Sequence, residues 1–437
     1  MKKLTILSVM ALVALMCIFS ACEKEDDNNN QPPPSDKPFE NMTVAEDFTW
    51  VTSSTLAIDL MITDEQQNPI KTDLAAYNEY PGGKLMFEGA SGQNGVFKKK
   101  YKIATAKNKI VIVIPNNDPF EISFVDTTVH NAPALLAKKT IVLPNPGFKS
   151  VREEVYTYYP AEGKFGTICF EDYWPSSGDY DFNDAVIDYN VIAVADDASS
   201  DFVERIEMTL FLRARGAGYQ NGFGMSFRYG WSWQGPFHDI SSFTVNGIEI
   251  TKEETFYPSY ILIPNLSEDM PHFNTIPEQG LSSPPVRYDV VITFAQPIDE
   301  WDLELPLQNP FLIVDQDRGR EVHISGDMPT SFANPDYVRT GEDYSDPEVF
   351  DPENFKSVSM MGYTTYVTEY NFPWAINIYE GPDDQLYSYP IEEADISWGY
   401  SSFEGWVTSW FPADWYQPQY IVPEFIFSEL PDNYDVK

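Results

Sequence analysis

Apolar and polar residues alternate in short runs along much of the chain, the period-two signature of strands with one buried face. Leu56, Ile58, Leu60 and Ile62 show it most plainly, followed by Lys84 to Phe87, Val96 to Ile103 and Ile110 to Ile114. Turn-forming clusters separate the runs: Gln67-Asn68-Pro69, Pro81-Gly82-Gly83 and Asn116-Asn117-Asp118-Pro119. Residues 46–126 are therefore expected to form a small β-sandwich. Residues 127–150, with Pro133, Pro144 and Pro146, read as a connector. From 151 to 437 strand-like runs return at Ile206 to Leu212 and Val286 to Phe294, and Gly and Pro punctuate the chain every few residues. No amphipathic helix pattern longer than about three turns and no fixed-period repeat stands out. The expected fold is mostly β, a small N-terminal β-sandwich followed by a larger antiparallel β-sandwich of jelly-roll-like kind.

The first residues follow a different logic. Lys2 and Lys3 precede an apolar stretch from Leu4 to Phe19, and Ser20-Ala21 supplies small residues just before Cys22. This layout resembles a bacterial lipoprotein signal, in which residues 1–21 are removed and Cys22 is lipidated. Glu23, Lys24, Glu25, Asp26 and Asp27 resemble the acidic export tag of surface lipoproteins in the Bacteroidetes. The plainer alternative is a cleaved secretory signal with an incidental cysteine. Residues 22–45 include Asn28 to Asn30 and Pro32 to Pro34 and read as a flexible tether. The expected location is the outer membrane, lipid-anchored and surface-exposed. No other apolar run approaches the roughly 20 residues of a membrane helix. Cys17 leaves with the signal and Cys22 carries lipid, so Cys169 has no partner for an intrachain disulfide.

Charge narrows the partners. Asp plus Glu total 67 against 28 Lys plus Arg, a formal charge of −39, which disfavours nucleic acid and anionic membranes and favours divalent cations. With 43% hydrophobic and 15% aromatic residues, this is a folded acidic chain rather than a disordered one. The lysines at 98, 99, 100 and 102 read as the solvated face of a strand.

The acidic residues concentrate most informatively in one loop. After Gly178, oxygen-bearing side chains stand at alternate positions, Asp179, Asp181 and Asn183, and Asp184 follows at once. Calcium takes about six to eight oxygens at about 2.3–2.6 Å, and a turning backbone that offers every second side chain can wrap several around one ion. Gly178 is expected to let the loop turn sharply, and Glu171 and Asp172 to complete the shell. Without a cation these carboxylates would repel and raise one another's pKa. Ala185 to Val191 reads as a core strand fixing the loop's exit. The loop is not an EF-hand: Asp184 stands where the glycine belongs and Asn190 where the bidentate Glu belongs. The bland alternative is a solvated hairpin in which Asp and Asn simply favour turns.

Two resemblances add to this. Residues 46–126 are loosely similar to carboxypeptidase-regulatory or transthyretin-like modules. Tyr159-Pro160, Gly166-Thr167, Phe170 to Pro175, Gly178 to Asp184 and Asp188 to Val191 resemble the signature of the LruC-domain family of bacterial surface lipoproteins. Further blocks follow in the family's order: Leu212 to Gly218, Asn221 to Gly224, Asn309-Pro310-Phe311, Gly319 to His323, Pro329-Thr330 and Pro373 to Asn377. The resemblance spans about 155–415. It implies a β-rich exported domain that binds calcium through the Gly-Asp-x-Asp-x-Asn-Asp loop, without an established catalytic activity. Cys169 and Ala185 depart slightly from the pattern, and neither touches the proposed ligands.

The expected function is thus a non-catalytic, lipid-anchored surface protein that recognises glycan, matrix or a protein partner. The alternative is a glycan-acting enzyme or accessory glycan-binding subunit. Carboxylate pairs such as Glu171 with Asp172, Asp315 with Asp317 or Asp383 with Asp384 invite that alternative. Asp315-Gln316-Asp317, beside Arg318 and Arg320, reads either as a second ion site or as a salt-bridge cluster. His130, His238, His272 and His323 lack metal-site spacing, and His323 reads as packed or hydrogen-bonded. No nucleophile elbow or phosphate loop occurs. Aromatic clusters at Tyr229, Trp231 and Trp233, and at Trp406, Trp410, Trp415 and Tyr416, read mainly as core, with sugar stacking as the alternative.

Overall fold

Leu56, Ile58, Leu60 and Ile62 are all buried in one strand, Ser53–Asp64, whose intervening residues face outward as the alternation requires. The computed structural model describes residues 38–45, 48–129, 132–144, 154–195, 202–216, 218–227, 240–253, 258–303, 305–351, 364–382 and 385–428. Cys22, most of the expected tether, His130, His238, the Tyr229 cluster and Asp383-Asp384 lie outside these residues. Among those described the structure is mostly β, and the longest helix is the seven-residue Phe403–Ser409. None is long and apolar enough to cross a membrane.

A four-stranded sheet takes the order Val96–Ala104, Ser53–Asp64, Ala132–Leu143, Val125–Val129. Its central pair, Ser53–Asp64 with Ala132–Leu143, is parallel. The span read as a connector therefore holds a strand, with Ala137, Ile141 and Leu143 fully turned into the core. Its prolines mark the ends: Pro133 is the second residue of the strand and Pro144 follows its last, positions where a missing N–H is tolerated.

The largest sheet has twelve described strands and runs through both halves of the sequence. Its path is Ile248–Glu249, Ile240–Val245, Val286–Asp299, Phe202–Ala214, Ala185–Ala195, Val155–Tyr159, Leu85–Ala90, Asp73–Tyr77, Lys109–Val113 and Phe120–Ser123. Phe87 opposite Thr157 joins the strands drawn from 46–126 to those beyond 151. One hydrophobic core likewise includes Leu56, Ile110, Trp174 and Leu210 together. Lys99 is a correction to the solvated lysine face. It lies on the inward side of Val96–Ala104 with Phe97, Tyr101 and Ile103, is 8% exposed, and pairs with Glu300 at 2.5 Å.

Ala185–Ala195 is the strand that positions the aspartate loop. It is buried along nearly its whole length. Phe202–Ala214 pairs along one edge, while Gly166–Phe170 and Val155–Tyr159 divide the other. Gly166–Phe170 pairs in turn with Ala375–Ile378. The strand is tied to its neighbour Phe202–Ala214 by an ion pair, Asp188 with Arg213 at 2.8 Å, both fully buried. Thr167 Oγ1 also donates to Asp188, at 2.6 Å.

Beside the loop lies a second, aromatic core. It contains Phe39, Phe48, Trp50, Tyr180, Phe182, Trp406, Trp415 and Tyr416, so the last three serve packing, while Trp410 at its edge is 40% exposed. Phe39 belongs to the start of the described chain, and its backbone N–H donates to Asp395 at 2.6 Å.

Candidate metal site

Two left-handed residues shape the loop: Tyr180 has φ 59° and Phe182 has φ 52°. A large side chain in that region costs on the order of 1–3 kcal/mol. Burial in the aromatic core offsets the cost, since Tyr180 is 4% exposed and Phe182 fully buried. With Tyr180 and Phe182 held there, the alternate residues Asp179, Asp181 and Asn183 are left to the polar side. Asp181 is buried and Asp179 exposed, so the loop runs from the surface inward.

Glu171, one residue beyond Gly166–Phe170, comes up beneath this loop. Its Oε1 accepts from Phe182 N at 2.6 Å. Its Oε2 is buried and finds no hydrogen-bond partner among the described residues. Glu171, Asp179 and Asp181 each offer an oxygen, and the three oxygens lie within 4.8 Å of one another. Oxygens bound to one calcium ion are separated by at most twice the metal–oxygen distance, about 4.6–5.2 Å. Asp181 is fixed from both sides, accepting from Asn183 N at 3.0 Å and from Glu393 N at 2.9 Å. Asn183 donates through Nδ2 to Pro390 O at 3.2 Å, and its buried Oδ1 has no partner among the described residues.

Three of the six expected ligands thus come together. Asp172 and Asp184 stand on the wall of the same cleft, tied to each other by Asp172 N donating to Asp184 at 2.8 Å. Asn221 Nδ2 donates to Asp172 at 2.7 Å, and Arg320 reaches its backbone oxygen at 3.1 Å. The cleft encloses about 570 Å³ and is also lined by Tyr173, Tyr219 and Glu392.

Gly178 matters for a different reason from the one expected. Its φ is not left-handed; instead a Cβ there would lie 1.9 Å from Glu171 Oε2. Gly216 plays the same part for Asn183, whose Oδ1 would be 1.9 Å from an added Cβ. The loop's contiguous residues gave no signal for Gly216, Asn221 or Glu392.

The carboxylates of the cluster are raised together, by burial and by one another's charge. Burial, then the charges of Asp184, Asp181 and Asp179, push the Glu171 carboxyl well above its ordinary range. Burial and Asp179 do the same to Asp181, and burial and Asp172 to Asp184. Asp172, Asp179 and Glu392 are raised too, burial being the leading cause for each.

Other candidates resolve differently. Asp317 accepts from Gly319 N at 2.9 Å and from Tyr337 at 2.8 Å, while Arg318 pairs with Glu253 and Glu321 and Arg320 turns to Trp174 O. Among the described residues the segment forms a local network, with no gathered set of ligands. His323 is buried between Asn309 and Glu321, at 2.7 and 2.9 Å. Cys169 is buried with its thiol pushed above the usual range by desolvation.

Residues 201–416 match the model of a domain of unknown function, DUF4842. The aspartate loop lies just before that span; Gly216, Asn221 and Glu392 lie within it. No curated protein matches the sequence. The fold is similar to that of a "putative lipoprotein" from Bacteroides ovatus, with a TM-score of 0.55 and 16% identity over 82% of this chain and 100% of that one. At that identity the likeness concerns the fold alone. A 3-chlorocatechol 1,2-dioxygenase from Rhodococcus opacus matches 23% of this chain and 62% of its own at 10% identity, with a TM-score of 0.17. The major pilin subunit BcpA of Bacillus cereus matches 60% and 63% at 8% identity, with a TM-score of 0.16. Neither likeness supports an argument about function.

Proposed function

We propose that this is a non-catalytic, lipid-anchored surface protein in which a calcium ion bound by Glu171, Asp179 and Asp181 fixes the loop 178–184 and a recognition surface beside it. The LruC-domain resemblance and the lipoprotein-like signal ending at Cys22 support export and anchoring. One pair of observations carries the metal reading: Glu171 Oε2 is buried and unpartnered among the described residues, and a Glu171 carboxylate oxygen lies within 4.8 Å of oxygens from Asp179 and Asp181. A buried carboxylate oxygen without a donor or cation is costly, and a cation is the simplest remedy. Asn183, Asp184 and Asp172 then act around the ion, Asn183 by its free amide oxygen and the other two by holding the cleft wall.

The test is thermal unfolding of the mature chain in chelator and in calcium. A ligand that prefers the folded state raises the midpoint. Glu171→Gln keeps the acceptor for Phe182 N and removes a charge, so it should stabilise the calcium-free protein and lose most of the calcium-dependent rise. A calcium response equal to the wild type's in Glu171→Gln would refute the reading.

A further inference from the structure

We infer that the calcium ion keeps part of its coordination shell open to the adjoining cleft, and that this position takes vicinal hydroxyls of a neutral carbohydrate. This rests on the calcium reading above and specifies the ligand class of the same site.

The ligand count comes first. Glu171 commits one oxygen to Phe182 N and leaves one for the ion. Both oxygens of Asp181 already accept backbone N–H groups, and each retains only one lone pair. Asp179 is exposed, at the mouth. With the amide oxygen of Asn183, the side chains thus supply about four to six oxygens against the roughly six to eight that calcium takes. The rest must come from water or from a ligand entering the cleft.

Charge then selects among ligands. Glu171, Asp172, Asp179, Asp184 and Glu392 all line the cleft, and Asp181 lies just behind it. One dication leaves this surface anionic, so a phosphate, sulfate or carboxylate ligand is repelled. A cationic group competes with the ion for the same oxygens. A pair of neighbouring neutral hydroxyls replaces two waters at no electrostatic cost and with a chelate's advantage, because the sugar ring holds the two oxygens in place.

The cleft also supplies the other element of sugar recognition. Tyr173 is 52% exposed on the cleft wall, directly after the Asp172 that Asn221 holds in place. Tyr219 faces the same space, with the Arg320 guanidinium 5.4 Å from its ring centre. A volume of about 570 Å³ accommodates one or two sugar rings.

Terbium luminescence of the mature chain tests this directly, because emission lifetime counts the O–H oscillators on the bound ion. The expected result is a lifetime showing coordinated water, which lengthens on adding methyl mannoside or methyl glucoside, since each water carries two oscillators and each sugar hydroxyl one. Fully O-methylated glycosides leave it unchanged. Tyr173→Ala should retain the ion and weaken the glycoside effect roughly two- to tenfold. If neither calcium nor terbium binds, the calcium reading itself fails. If the ion binds without water, or with water that no glycoside displaces, the reading stands and this inference falls. Glycoside binding that persists in chelator or in Glu171→Gln overturns it too, as does a lysine-rich peptide that binds by expelling the ion.

Discussion

Gly178→Ala isolates the geometry of the site without removing a ligand. The closest approach that Cβ atoms tolerate is 3.0 Å, and the added methyl would stand 1.9 Å from Glu171 Oε2, so the two must separate by at least 1.1 Å. Glu171 cannot simply swing away, because its Oε1 is held by Phe182 N at 2.6 Å and the side chain is fully buried. Metal sites require ligand distances within about 0.2 Å, and the shift exceeds that several-fold. Losses of supporting geometry around a metal typically cost about 10–100-fold in affinity. At calcium well above Kd that is about 1.4–2.7 kcal/mol of lost stabilisation. A chain of 437 residues unfolds with roughly 0.9 kcal/mol per degree, so the calcium-induced rise in Tm should shrink by about 1.5–3 °C. Gly218→Ala is the matched control: it lines the same cleft, and its added Cβ would meet nothing within 4 Å. Calorimetric calcium titration of the two variants decides the matter. Equal, wild-type affinity in both would refute the site as drawn.

Three further outcomes follow from the same structure. Because Glu171, Asp181 and Asp184 are raised, the calcium-free fold prefers them protonated: its stability from these groups is full below the ordinary carboxylate pKa of about 4 and is lost as pH rises through the raised values. Calcium must displace those protons, so the difference in Tm between calcium and chelator should grow with pH; a flat or falling difference contradicts it. Arg213→Met strands a buried Asp188 and should destabilise the fold by about 3–5 kcal/mol in denaturant titration, with calcium affinity little changed. Phe39→Ala removes a fully buried ring from the aromatic core and should cost about 3–5 kcal/mol, read in the same way.

The strands were legible because alternation at Leu56 to Ile62 or Val96 to Ile103 directly reports a half-buried sheet. Lys99 escaped because its partner, Glu300, is 201 residues away, although the alternation itself placed it inward with Phe97 and Tyr101. The strand Ala132–Leu143 was hidden by prolines that bound it rather than break it. In the site, the gathering of Asp179, Asp181 and Glu171 could be read because they are close in sequence. Asn221 and Glu392 could not, because only tertiary folding brings them to the cleft from 49 and about 220 residues beyond Asp172. Gly178 was noticed for the sharp turn it allows; the space it leaves for a Glu171 oxygen could not be read from the sequence.

The loop is closed by distant segments, and that closure has a measurable consequence. Glu393 N holds Asp181, Ile396 N donates to Tyr180 O at 2.9 Å, and Asp395 accepts the N–H of Phe39. The Phe39 ring meets Tyr180 edge-on at 5.2 Å, completing a circuit from the beginning of the described chain through 393–396 to the aspartate loop. Fixing Asp181 with a cation therefore restrains Glu393 directly, and Phe39 through both Asp395 and Tyr180. Segments linked in this way open together, as one cooperative unit. Hydrogen exchange should show calcium slowing the amides of Phe39, Glu393 and Ile396 along with those of Phe182 and Asn183. The hairpin of Lys109–Val113 with Phe120–Ser123, which shares none of these contacts, should exchange at the same rate with or without the ion. Protection confined to Phe182 and Asn183 would mean that the loop binds its ion in isolation, and that the contacts to 393–396 and Phe39 pack against it without sharing its stability.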